Sequence, residues 1–268
     1  MFNSIFATTL WERRRSIVWW IAGLVALAGV TVAFYPSIRD DAESFEELFE
    51  AFPSELLSVF GIEDAASLVT ATGLVNSRIY AGIGPVIVAA LGISLGTAAV
   101  AGEEDRGTLG LLLAQPVTRT QIIVEKFAAA AVLIFAVMVA LFVTLLVLNP
   151  IVDLGFGVSG LFGANITLGM FALLFCALAL AIGSTTGNRG LTMGASAGAL
   201  GALFFVHGLA PLVDQLAWVA ELTPFHWLQD PNPLANGLDM IAVLLFALVT
   251  AALVGVAVWG LNRRDIAS

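Results

Sequence analysis

The charged residues of this chain are gathered in clusters, and six long runs between the clusters carry none. The runs are Ser16–Ile38, Ile79–Gly102, Phe127–Val152, Leu154–Asn188, Gly190–Val213 and Met240–Asn262, of 23, 24, 26, 35, 24 and 23 residues. About 20 helical residues, rising ~1.5 Å each, cross a hydrocarbon core of ~30 Å. Each run is long enough to cross once and too short to cross twice. The pattern predicts an all-α, polytopic membrane protein with six transmembrane helices near 17–37, 79–102, 127–149, 161–183, 190–212 and 240–261. These spans form a single transmembrane domain covering 1–268. A glycine-rich approach (Gly155, Gly157, Gly160, Gly163) precedes the fourth span.

Composition agrees and removes other classes. Hydrophobic residues make up 59% of the chain and charged residues 12%, with a mean hydropathy of +0.98. A typical soluble domain has roughly 45–50% apolar and about 25% charged residues. Disorder needs the opposite balance. Cys176 is the only cysteine, so no intramolecular disulfide exists. A net charge of −9 argues against nucleic acid, which is held by clustered Lys and Arg.

Lys and Arg also orient the spans. With the N-terminus inside, the inner segments carry Arg13, Arg14, Arg15, Arg106, Arg119, Lys126, Arg189, Arg263 and Arg264, and the outer ones only Arg39 and Arg78. Both termini are therefore expected in the cytoplasm. Tyr35, Tyr80, Trp218 and Trp227 then mark the outer interface, and Trp11, Trp19, Trp20 and Trp259 the inner one. The first run is too long for the apolar region of a signal peptide and lacks a clear small-residue cleavage site, so it reads as an uncleaved span.

Four connecting stretches are informative. Phe2, Ile5, Phe6 and Leu10 share one helical face, which predicts a short N-terminal interfacial helix before Arg13–Arg15 turns the chain into the bilayer. An outer acidic segment, 39–78, has nine carboxylates within Asp40–Asp64. Phe45, Leu48, Phe49 and Phe52 predict a helix there, ended by Pro53. This segment reads as a solvated loop, or as a cap that sorts charged solutes. A second outer segment, 214–239, is broken by Pro224, Pro231 and Pro233 yet apolar, which predicts short re-entrant or interfacial helices. The fourth stretch is the inner loop Glu103–Lys126. Gly107 can end a helix continuing from the second span, Thr108 can cap a short one, and Leu109, Leu112 and Leu113 give it an apolar face. Thr118 and Gln121 form a capping box for the next helix.

Catalytic signals are weak. Gly194-Ala195-Ser196-Ala197-Gly198 matches the G-x-S-x-G pattern of serine hydrolases, and His207 lies in the same run. Eleven residues along one helix separate them by ~16 Å, against the ~3 Å a nucleophile and its base require. Gly190, Gly194 and Gly198 read better as two overlapping G-x-x-x-G repeats that pack against another helix, in a partner copy or in the same chain. Gly92 and Gly96 repeat that signature more weakly. One Cys and two separated His offer no usual zinc ligand set. Lys126, the only lysine, lies outside any Gly-Lys-Ser/Thr loop, so ATP chemistry must come from another chain. No ionisable residue except His207 falls mid-span, which counts against a proton- or ion-coupled secondary transporter or channel.

The inner loop carries a family resemblance. Glu103-Glu104, Gly107-Thr108-Leu109, Leu112-Leu113, Pro116-Val117 and Arg119 resemble the loop between the second and third spans of type-2 ABC transporter (ABC-2) permeases. Thr223-Pro224-Phe225 and Arg263-Arg264-Asp265 resemble that family more weakly. Gly110 departs from it, standing where an acidic residue is frequent. The resemblance implies a cytoplasmic coupling helix that docks on a separate ATPase through Glu103, Glu104, Arg106, Thr108, Leu109, Leu112, Leu113 and Arg119. It further implies a non-catalytic permease subunit of an ATP-driven exporter in a prokaryotic plasma membrane. Two permease copies, identical or closely homologous, would assemble with two ATPases. Those partners would bind ATP and Mg, leaving this chain without a cofactor.

Overall fold

The computed structural model describes residues 4–41, 69–213, 215 and 217–264. The helix expected at Phe45–Phe52, Phe2 of the N-terminal face, and Asp265 lie outside them. Described residues form α1 (Ile5–Asp40), α2 (Ala71–Val75), a π-helical turn (Asn76–Ala81), α3 (Ile83–Ala99), α4 (Ala101–Asp105) and α5 (Leu109–Leu113). They continue with α6 (Arg119–Val152), α7 (Val158–Thr186), α8 (Arg189–Leu209), α9 (Ala217–Glu221), α10 (Pro224–Gln229), α11 (Pro233–Asn236) and α12 (Met240–Arg263). Six helical stretches among them are long and apolar enough to cross a membrane.

The first span differs from expectation. α1 is one unbroken helix of 36 residues, so no turn at Arg13–Arg15 separates an N-terminal interfacial helix from it. Its expected apolar face is nonetheless used: Ile5 is buried and Leu10 packs on the core. Ser4 caps it by accepting the Ala7 N–H at 3.2 Å.

α7 is the hub, packing on α3, α6, α8 and α12. Its most apolar stretch is 78% buried and that of the second span 67%, whereas the other four spans reach only 17–33% and turn most of their surface outward. Small residues let the two buried helices touch. A methyl group at Gly92 would overlap the Ala172 carbonyl oxygen, and one at Gly96 the Cys176 carbonyl oxygen. The glycine pair that reads more weakly in sequence is thus the one that seats α3 on α7. Gly96→Val is expected to cost at least ~1–3 kcal/mol through overpacking. The check is a lower unfolding midpoint, reported by a thiol dye on the buried Cys176.

At the end of the bundle away from the N-terminus, α9–α11 fold back over the spans. The second half of the glycine-rich approach lies within α7, with Gly155 and Gly157 before it: Gly160 and Gly163 leave no room for a methyl beside the backbone of Leu234 and of Gly237–Leu238. They form a saddle on which α11 sits.

Candidate functional site

The start of α1, the loop after α3, the α7–α8 turn and the end of α12 meet at the other end. α4 follows a bend at Val100, and Gly107, at φ +71°, reverses the chain in a left-handed conformation that glycine adopts without strain. α5 follows and stops before Pro116. Thr118 accepts the Gln121 N–H at 3.1 Å and starts α6, while the Gln121 side chain donates to Glu125 at 2.7 Å.

Thr108 does not cap α5. Its hydroxyl turns back to Glu103, reaching the carbonyl oxygen at 3.1 Å and also the carboxylate. Glu103 lies at the centre of a buried ionic cluster. Lys126 Nζ sits 2.6 Å from Glu103 Oε1, with only 4% of its side chain exposed, and the half-exposed Arg106 reaches the same oxygen at 3.1 Å. Burial opposes ionisation of Glu103. Hydrogen bonds from Lys126 and Thr108, with the charges of Lys126 and Arg106, outweigh it and hold the carboxyl below its usual range.

A second set of contacts ties the loop to the last span. Glu104 pairs with Arg264 at 2.6 Å, and Arg264 also donates to the Ser184 carbonyl at 3.3 Å. Gly187 (φ +67°) sits beneath that pair, where a methyl would collide with both side chains. Arg119 donates to the carbonyls of Leu261 and Arg264 at 2.5 and 2.7 Å, satisfying the open end of α12. Asp105 and Arg189 form an exposed pair at 3.2 Å. On the near side, the Phe6 N–H donates to Glu125 at 3.0 Å. A groove of about 530 Å³ opens there between α1 and α5, with Glu12, Leu111, Leu112 and Glu125 in its walls.

The structure therefore divides the eight loop residues singled out in sequence. Glu103, Glu104, Thr108, Leu109 and Arg119 turn toward their own chain, with Leu109 only 1% exposed. Leu112 and Leu113 are half-buried and Arg106 stands at the surface. Leu111, which the expected apolar face leaves out, is 72% exposed. Lys126 and Arg264 complete the cluster. The signal for Lys126 was its position, as the only lysine, at the mouth of an apolar run.

The fifth span presents its glycines outward. A methyl at Gly194 or Gly198 would meet nothing within 4 Å, and one at Gly190 only the Asn188 side chain. Thr192, Ser196 and Leu200 fill the opposite, buried face. The choice between packing inside the chain and packing on a partner thus moves away from the first. Ser196 and His207 stay eleven residues apart on one continuous helix. His207 is engaged elsewhere, with Nδ1 3.2 Å from Thr223 Oγ1 and Nε2 3.2 Å from Gln229 Oε1.

The arrangement is a rigid tie: a short helix with one face exposed, joined by charge pairs and backbone hydrogen bonds to the third, fourth and last spans. The family described as ABC-2 family transporter protein matches residues 4–266. No curated protein matches the chain. A match over nearly the whole length, on a six-span helical fold with this loop, makes the chain a member of the ABC-2 transporter family, a multi-pass membrane permease of an ABC transporter.

Proposed function

We propose that the chain is the permease of an ATP-driven exporter, and that α5 is its coupling helix, the element on which a separate ATPase docks. The observation that carries this reading is Leu111. A large apolar side chain stands exposed on a five-residue helix whose other face is anchored by Leu109 and the Glu103–Lys126 pair. An anchored helix transmits displacement to the spans, and a free apolar side chain gives an ATPase something to grip. Glu103, Glu104, Thr108 and Arg119 are the transmitting residues in this reading. Arg106, Leu111, Leu112 and Leu113 form the contact. ATP and Mg bind the ATPase, two copies of which serve two permeases in a prokaryotic plasma membrane. The Arg/Lys distribution supports cytoplasmic termini.

The test is reconstitution in lipid with and without a partner ABC ATPase. The permease is expected to raise ATP turnover and to transport only when that ATPase is present. Transport without any ATPase would overturn the reading.

The outward glycine face of α8 supports assembly as a homodimer. Gly194→Leu places a bulky side chain where nothing in the protomer lies within 4 Å, so the monomer is expected to fold normally while the dimer weakens. Cross-linking and mass measurement in native nanodiscs check this. An unchanged dimer would show that the interface lies elsewhere.

A further inference from the structure

We propose that Gln229 and His207 form a latch that holds α10 across the break in the second span, and that its release opens that end of the bundle. This rests on the topology proposed above, in which that end faces outside.

The break is built into the backbone. The π-helical turn Asn76–Ala81 runs into Gly82 at φ −88° and ψ −110°. A methyl on Gly82 or Gly84 would overlap the carbonyl oxygens of Ser77 or Ile79, so the chain there is too tight for a side chain. Such turns leave backbone groups out of the regular helical ladder. Here the Ala81 carbonyl is taken by Gln229 Nε2 at 3.0 Å.

That bond fixes the rest by elimination. With Gln229 Nε2 donating to a carbonyl, Oε1 is an acceptor, and the atom facing it, His207 Nε2, must carry hydrogen. On the other side of the ring, Nδ1 faces Thr223 Oγ1 at 3.2 Å, while the Thr223 hydroxyl also lies 2.7 Å from the Ala220 carbonyl. In the neutral ring Nδ1 can only accept, so the Thr223 hydroxyl completes the hydrogen bonding of the imidazole. Phe225 carries the contact inward. It is fully buried, stacks on His207 at 5.9 Å, and meets Phe171 of the hub edge-on at 5.0 Å.

The experiment places a reporter at Ala81→Cys, a buried side chain beside the latch, in a Cys176→Ala background. An impermeant thiol reagent is added outside, and the rate is taken relative to an exposed Asn236→Cys reference. Gln229→Leu is expected to raise the relative rate about tenfold, the size set by losing two ordinary hydrogen bonds. His207→Phe, which keeps the ring on Phe225 and the Gln229–Ala81 bond but loses the bond to Gln229 Oε1, should raise it by a smaller factor. An unchanged rate in Gln229→Leu overturns the latch. If Gln229→Leu does not fold, the His207→Phe rate decides: a rise supports the latch and an unchanged rate overturns it. If Asn236→Cys resists the reagent from outside, the topology has failed instead, and the same comparison in inverted vesicles reads the latch.

Discussion

Leu111→Asp is expected to abolish stimulation of the partner ATPase without disturbing the permease itself. The side chain is 72% exposed, so the substitution removes almost no packing inside the chain. In the complex it would bury a carboxylate where an apolar group belonged. Truncation of a central interface anchor costs ~2 kcal/mol or more, and an unpaired buried charge adds to that. A loss of about 30-fold or greater in ATPase affinity follows. The contrast is Leu109→Asp, at a position 1% exposed, which should unfold the loop and lower yield. Arg106→Glu should act more mildly, since pairs open to solvent give only ~0–1 kcal/mol. Co-purification of the ATPase and its permease-stimulated turnover in lipid measure both effects. If Leu111→Asp retains partner and stimulation, α5 is not the docking element.

Lys126→Met should strongly destabilise the loop. It leaves Glu103 buried at 8% exposure with the half-exposed Arg106 as its one remaining charged partner, beside the Thr108 hydroxyl. Breaking one side of a buried pair costs ~3–5 kcal/mol, and the remaining Arg106 argues for the lower end. For a chain of this size about 3 kcal/mol moves the unfolding midpoint by about 6–12 °C. The double change Glu103→Gln with Lys126→Met removes the stranded charge and should recover much of the loss. Equal destabilisation of single and double variants would show that the charges are not coupled. The same cluster predicts acid sensitivity. Folding holds the Glu103 carboxyl below its ordinary value of 4.5, so its contribution is complete above that pH and is lost as pH falls further.

The six spans were legible because a charge inside a bilayer is costly, so its absence over more than 20 residues leaves a direct trace. Their ends were less legible. α1 and α6 run to 36 and 34 residues, beyond any bilayer, because helices continue where lipid stops. The loop was half-read. Its turn at Gly107 and the start of α6 at Thr118 depend on local chemistry and were visible. Which leucine is seated is not local: α5 has five residues, too few for a periodic face to declare itself. Its orientation is set by partners such as Arg264, 160 residues from Glu104, and Leu261, 142 from Arg119. The glycine pairs show the same limit. Gly92/Gly96 and Gly194/Gly198 look alike in sequence, and only the fold shows that the first meets a backbone and the second meets none.

The position of the hub has a consequence for how the protein is made. Helices leave the ribosome in chain order, and α7 is the fourth span to arrive. Two of its main partners, α3 and α6, are already in the membrane, so the surface around Gly92 and Gly96 is waiting when Ala172 and Cys176 emerge. α12, its other large partner, comes last. Until then one side of the hub faces lipid, and the Glu104–Arg264 pair and the Arg119 contacts cannot form. The charge cluster is thus a closing step of biogenesis, completed only when the final span is in place. A chain truncated before Met240 should insert five spans yet remain unlocked at the end that carries α5.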